Sequence, residues 1–388
     1  MSPKLYTRFF KISIHSFHFF GVLGFIGGML LGVSLCYFLG MNVYIILLMT
    51  LIGAGTFFLL AFIAKWVTKE ETIVYYHHEI AILVFCAIAL KLLHYPVLHY
   101  IDVTLLGIGT FLAFGRIGCF NVGCCHGRPG KFGYHYDEPH VQSGFTWYFK
   151  NVTLLPVQLV ESSFVFCIVI TGSFLLFTNA PAGTVLVLYT VVYGAFRFGI
   201  EFFRGDPERP YYKGLSEAQW TTLLLISISL ILSYSGTLPL YNWHVGIFII
   251  LCAVSLNVIF LKRRINDYRL TTPRHIQEIA TGLQHMKFKK QNSANAAKNG
   301  VDVYTTTEGL SFSSGVHDAR REKLTHYTLS GNSALVLDGN SSHKIGKIIG
   351  LINKHSGDFE IIKKDSGIYH IVFKEKQVNE KLAVEQVV

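Results

Sequence analysis

The stretch Tyr193-Gly-Ala-Phe-Arg197-Phe-Gly-Ile-Glu201-Phe-Phe-Arg204 places three charges inside an otherwise apolar run. On an α-helix turning about 100° per residue, Tyr193, Arg197, Glu201 and Arg204 fall within about 80° of one another, so a single stripe carries the polarity. A charge at the centre of a membrane helix costs about 2.5 to 3.5 kcal/mol on insertion scales. Three on one stripe therefore require partners, water or a ligand. An Arg197–Glu201 ion pair at i, i+4 satisfies two of them. It leaves Arg204, which is followed by Gly205-Asp206-Pro207 and Arg209.

A second constellation runs Gly115-Arg116-Ile117-Gly118-Cys119-Phe120-Asn121-Val122-Gly123-Cys124-Cys125-His126-Gly127-Arg128-Pro129. Glycines let backbone N–H groups come close to an anion, and arginine grips phosphate oxygens with two parallel donors. The combination reads as a lipid-phosphate site. The thiols add a second chemistry, because a thiolate beside Arg or protonated His is stabilised and becomes a competent nucleophile. The Cys-x4-Cys-Cys-His spacing is not that of familiar zinc sites and adjacent cysteines chelate awkwardly, so no metal and no cofactor is assigned. Other polar groups stand near the ends of apolar runs: His15, His18, the Tyr75-Tyr76-His77-His78-Glu79 string, Asp102, and Gln158 with Glu161 after Pro156. Their recurrence argues for a polar cavity. His77 is the general-base candidate, with His78 competing, because imidazole titrates near neutrality.

The elements that must hold these groups are membrane helices. Of 388 residues, 51% are hydrophobic and only 15% charged, and the mean hydropathy is +0.41; a soluble domain carries about 25% charge. A net charge of +10 without a basic stripe of interleaved aromatics excludes nucleic acid and suits contact with anionic lipid. Apolar runs near 16–39, 43–64, 79–98, 102–120, 157–178, 182–203, 218–235 and 244–261 are each long enough to cross roughly 30 Å of hydrocarbon. The expected fold is an all-α polytopic membrane protein of about seven to eight transmembrane helices, with a small α+β soluble C-terminal appendix. Residues 1–264 form the membrane domain with a polar cap loop at 121–156, 265–342 a polar linker, and 343–388 a helix–hairpin tail. Cys36, Cys86, Cys167 and Cys252 lie singly in apolar runs as packing residues. No cleavable signal is expected, since the first apolar run is too long for one.

Three ordered motifs resemble the bacterial prolipoprotein diacylglyceryl transferase family: Gly115-Arg116-Ile117-Gly118-x-Phe120, Pro156-Val157-Gln158-Leu159-Val160-Glu161, and Tyr193-Gly-x-x-Arg197-Phe-x-x-Glu201-Phe-Phe-Arg204-x-Asp206. The resemblance covers roughly residues 10–260. It implies a multi-pass enzyme of the bacterial inner membrane that moves diacylglyceryl from phosphatidylglycerol to the cysteine thiol of a lipoprotein precursor, releasing glycerol phosphate, with no metal. His77, Arg116, Arg197, Glu201, Cys124 and His126 are then the catalytic candidates. Arg116, Gly118, Asn121, Gly127, Gln158, Glu161, Tyr193, Arg197 and Arg204 are the phospholipid-binding ones. The family signature reads Gly-Arg-x-Gly-Asn-Phe-x-Asn-Gly-Glu. Here its first Asn is Cys119, its second Val122 and its Glu Cys124, which marks a divergent branch. Alternatives are a phospholipid transferase with a non-protein acceptor, a covalent route through Cys124 or Cys125, and a non-catalytic lipid or anion transporter. The basic residues flanking the first and last runs put both flanks in the cytoplasm by the positive-inside rule, whereas the resembled family works at the outer face. Both placements stand open at this point.

Overall fold

The structure is a computed structural model that describes residues 3–10, 12–69, 75–207, 210–264, 269–292, 302–319, 322–332, 335–355, 358–365 and 367–376. The chain divides into two compact units, one of residues 1–145 and 150–258, the other of 146–149 and 259–388.

The first unit opens with an antiparallel hairpin, β1 (Tyr6–Phe9) and β2 (Ile12–His15), which feeds α1 (Ser16–Phe38). It continues through α2 (Val43–Thr68), α3 (Tyr75–Leu92) and α4 (Val97–Val122). After α4 the chain makes β3 (Pro129–Tyr134) and the short α5 (Glu138–Gln142), then enters α6 (Val157–Phe177). The next span is segmented into α7 (Thr184–Leu188), a π-helical turn Tyr189–Tyr193, α8 (Gly194–Ile200) and a 3₁₀ turn Glu201–Phe203. A small ribbon, β4 (Tyr211–Tyr212) with β5 (Leu215–Ser216), leads into α9 (Glu217–Tyr234) and α10 (Asn242–Arg264).

Among the described residues, six helices are long and apolar enough to cross a membrane: 16–38, 43–67, 97–122, 157–177, 184–203 and 242–260. The protein is therefore a multi-pass, mostly helical membrane protein. The two remaining expected spans correspond to α3 and α9, which are 18 residues each. Their first turns carry His77, His78 and Glu79, and Glu217 and Gln219, and a count of seven to eight rests on them alone. The run expected at 79–98 is broken earlier than its hydropathy indicates. The helix stops at Leu92, His94 takes a left-handed φ of 60°, and α4 begins directly after Pro96.

Helix α4 lies at the centre of this unit. It meets α1 at glycine: a Cβ on Gly28 would stand 2.5 Å from the carbonyl oxygen of Gly107, so the backbones touch as small-residue interfaces in lipid allow. Its buried Asp102 accepts hydrogen bonds from the backbone N–H groups of Gly183 (2.7 Å) and Leu186 (2.8 Å). It thereby caps the start of α7. Asp102 is a capping residue rather than a wall of the polar cavity anticipated from its sequence position. Ser162 on α6 donates to the Ala113 carbonyl at 2.8 Å, tying α6 to α4.

In the second unit, the segment expected as a linker contains the helix Pro273–Asn292 and strands β6 (Tyr304–Thr305), β7 (Leu310–Ala319) and β8 (Glu322–Gly331). With β9 (Phe359–Asp365) and β10 (Ile368–Lys376) these form a five-stranded antiparallel sheet in the order β6-β7-β8-β10-β9. The strands escape a sequence reading because most of their partly exposed positions are Ser, Thr and His. The buried alternation reduces to Leu310 and Phe312 on one strand and Thr325, Tyr327 and Leu329 on the next, too short and partly polar to stand out. The helix Gly339–Asn353, capped by Asp338, buries Ile345, Ile349 and Ile352. The hairpin tail at 359–376 carries the buried Tyr369, Ile371 and Phe373.

Candidate functional site

Glu161, in the second turn of α6, is buried at 2% exposure and is where separate membrane segments meet. Arg116 from α4 places Nε 2.9 Å from Glu161 Oε2. Arg197 from α8 places Nε 3.6 Å from Glu161 Oε1, while its Nη2 lies 2.6 Å from Glu201 Oε1. Tyr193 donates its hydroxyl to Glu161 Oε1 at 2.9 Å. Arg204, fully buried, grips Asp206 through Nε (2.7 Å) and Nη2 (2.9 Å). Three guanidinium groups thus face three carboxylates in a nearly sealed interior. Burying such ions costs several kcal/mol each before their attraction offsets it, so stability alone is a poor reason for the cluster. Arg197 Nη1 is buried and has no hydrogen-bond partner among the described residues.

The stripe drawn from a uniform helix needs correction. A π-helical turn interrupts the span at Tyr189–Tyr193 and a 3₁₀ turn ends it at Phe203, so the angle per residue is not constant. Arg204 is extended, with φ −73° and ψ 143°. Its place comes from pairing with the loop after α4: Gly205 N–H donates to His126 O (2.9 Å) and Arg128 N–H to Phe203 O (2.9 Å), and Arg128 Nε donates to Arg204 O at 3.1 Å.

That loop is held from several sides. Gly123 ends α4 with φ 85°, donating to Cys119 O at 2.9 Å. Gln158 Nε2 donates to Cys124 O at 2.9 Å. Gly127 has no room for a side chain, since a Cβ would lie 2.4 Å from Leu155 O. The Sγ atoms of Cys119, Cys124 and Cys125 all lie within 4.8 Å of one another, with Cys119 buried and Cys124 exposed. Thiol hydrogen bonds from Cys119 and Cys124, with Arg204 and Arg116 adding charge, pull the Cys125 thiol below its ordinary range. The same thiol contacts, from Cys119 and Cys125, push Cys124 above it. The sequence left Cys124 and Cys125 as alternative reactive thiols; the neighbouring thiols and arginines favour the anionic form at Cys125.

The other candidates scatter. His126 is buried, donates Nδ1–H to Gly127 O at 2.9 Å and packs against Phe145, and burial lowers its pKa. His77 sits on α3 with its ring 59% exposed and Nε2 2.9 Å from Glu217, a contact that links α3 to α9. Asn121 bonds Ile117 O and accepts from Lys4 N–H, and Gly118 packs on Phe17 of α1. These two position helices rather than facing the arginines. Asp206 was missed as a site residue, although an acid two positions after an arginine in a tight Gly-containing turn is a signal. Arg209 lies outside the described residues.

The fold and this cluster define a polytopic membrane protein with a buried arginine–carboxylate centre built from three spans and the loop that follows the third of the six. The sequence model of prolipoprotein diacylglyceryl transferase matches residues 4–235, and the chain belongs to that family. Among similar proteins are the phosphatidylglycerol–prolipoprotein diacylglyceryl transferase of Clostridium tetani, 35% identical over 143 residues, covering 35% of this chain and 53% of the relative. That of Dehalococcoides mccartyi is 30% identical over 138 residues, 35% and 50% respectively. A protein named phosphatidylglycerol–prolipoprotein diacylglyceryl transferase 2 from Clostridium perfringens is 30% identical over 135 residues, 34% and 49%. The chain spans about half the length of the curated relatives it matches.

Proposed function

We propose that this protein is a transferase of the bacterial inner membrane that moves diacylglyceryl from phosphatidylglycerol, or a related anionic phospholipid, to a thiol acceptor such as a lipoprotein-precursor cysteine. The observation that supports this most is the meeting of Arg116 and Arg197, from different helices, at Glu161, with a buried Arg197 Nη1 donor unpartnered among the described residues. A phosphodiester approaching these groups exchanges carboxylate contacts for phosphate contacts. The acceptor sulfur attacks the glyceryl carbon bearing the phosphate oxygen. An S–C bond forms, the C–O bond breaks, and its electron pair leaves on glycerol phosphate. Arginines fixed in advance stabilise that developing charge without reorganising. Glu161 and Tyr193 orient Arg197, Glu201 holds its other edge, and Arg204 and Gln158 shape the adjoining loop. His77 and His126 are the groups proposed to receive the thiol proton. Cys124 takes the position of a family carboxylate, and Gly127 keeps the loop close-packed.

The test is incubation of the purified full chain in phosphatidylglycerol-containing nanodiscs with a lipobox peptide. Equal amounts of lipidated peptide and glycerol phosphate are expected. Glycerol phosphate without modified peptide would move the assignment to a non-protein acceptor, and lipid binding with neither product would move it to transport.

A further inference from the structure

Three thiols have converged beside α4, two of them, Cys119 and Cys124, where the family signature carries Asn and Glu, and the transfer scheme above uses none of the three. Their convergence depends on backbone geometry that the sequence hides. Neighbouring cysteines in regular structure diverge, but here Gly123 has φ 85° and Cys125 φ 55°. A left-handed non-glycine residue is uncommon and tends to mark functional sites. The double reversal folds Cys124 and Cys125 back over the last turn of α4, where Cys119 waits, and brings all three Sγ atoms within 4.8 Å. Gln158 fixes the Cys124 peptide, and Gly205 the His126 peptide, so the cluster is held rather than collapsed by chance. Such support is what a ligand set needs from its surroundings.

We propose that Cys119, Cys124 and Cys125 form a site for one thiophilic divalent cation of the zinc class. Zinc–sulfur bonds of about 2.3 Å in tetrahedral geometry put sulfurs about 3.8 Å apart, so the cluster closes on an ion with side-chain adjustments under about 1 Å. Sulfur donors select soft or borderline ions over magnesium or calcium. The exposed Cys124 provides the route of entry. Each ligating thiol gives its proton to solvent, and three thiolates on a divalent ion leave one net negative charge. The positive charges of Arg204 and Arg116 act on Cys125 and partly offset it.

Three protein ligands leave a tetrahedral ion one vacant position. Resting on the transferase reading, that position takes the acceptor's sulfur. A metal-bound thiol is deprotonated outright, so the attacking thiolate would be generated beside the arginines that bind the leaving phosphate. This supplies a reason for cysteines to replace an amide and a carboxylate.

The probe is Cd²⁺ titrated into reduced, metal-free full chain, followed by sulfur-to-metal charge-transfer absorbance and by protection of thiols from Ellman's reagent. One equivalent should bind and shield three thiols. Cys119→Ser and Cys125→Ser should each weaken binding by more than the roughly 100-fold of an outer-shell change. Cys167→Ser, an exposed single thiol on α6, should change nothing. Absence of a stoichiometric band in the wild-type chain overturns the site whatever the variants do, as does a band that survives Cys125→Ser. With Cd²⁺ loaded, a cysteine peptide should shift the band and its serine analogue should not; no shift overturns the acceptor position. Cd²⁺ binding without any lipid transfer would defeat the transferase reading alone, and transfer by a chain that binds no Cd²⁺ would defeat the metal site alone.

Discussion

Glu161 receives Arg116, Arg197 and Tyr193 at its two oxygens while nearly excluded from solvent. Replacing it by glutamine preserves shape but strands two buried guanidinium groups, and removing one member of a buried pair costs about 3 to 5 kcal/mol. Glu161→Gln is therefore expected to lower the thermal midpoint of the purified protein by several degrees, measured by tryptophan fluorescence in detergent. Arg197 has a separate part in the proposed chemistry. Arg197→Ala should reduce kcat/KM for transfer by about 10² to 10³, the usual effect of deleting one preorganised donor. Lys213→Ala, on the turn between β4 and β5, should leave it unchanged. Equal losses in the two variants would mean the reactive centre is elsewhere. The convergence of Arg116 and Arg197 was legible in the sequence as two charged motifs inside apolar runs. Glu161 was named there among the phospholipid-binding candidates but not as the arginines' common acceptor, because it is 45 positions from one and 36 from the other and that role exists only across helices.

At the level of elements, the α1–α4 contact sets where Arg116 stands. Gly28 and Gly107 allow the two backbones to approach, and a side chain at position 28 would push against the Gly107 carbonyl. Gly28→Val is expected to destabilise by about 1 to 3 kcal/mol through overpacking, read as a lower thermal midpoint. By displacing α4 it should also reduce transfer more than its stability loss at assay temperature explains. A thermal midpoint unchanged from wild type would show that the helices are not in contact there. The hydropathy of α1 and α4 made both helices evident. It did not show which faces meet, since glycines in an apolar run look alike until a partner backbone is placed beside one of them. The π turn at Tyr189–Tyr193 was likewise invisible, because a single extra residue in a helical turn leaves no compositional trace.

For the molecule as a whole, the second unit contributes its own sensitivity to pH. His275 is buried, donating Nδ1–H to Leu270 O (2.8 Å) and accepting at Nε2 from Thr306 (2.9 Å). Burial lowers its pKa despite Glu278 and Glu308 nearby, and Arg269 acts in the same direction as burial. The folded chain thus holds the ring neutral where the unfolded chain protonates it. Below about pH 6.5 the unfolded state binds more protons, so stability falls as pH falls through that range and is unaffected above it. The thermal midpoint should drop between about pH 7.5 and 5.5, and His275→Gln should show a smaller drop. An identical pH dependence in the two proteins would remove His275 from the account.

Sequence alone determined that the chain is a mostly helical membrane protein, that arginines and carboxylates lie within its apolar runs, and which family it resembles. All three follow from local composition and ordered motifs, which transfer free energy and spacing make readable. Only the tertiary structure decided that Glu161 joins two arginines, that Arg204 leaves the helix to pair with the loop after α4, that three cysteines converge, and that strands between residues 304 and 331 join the 359–376 hairpin in one sheet. Those features depend on backbone reversals and on contacts between residues far apart in the chain, and no local pattern of polarity records them.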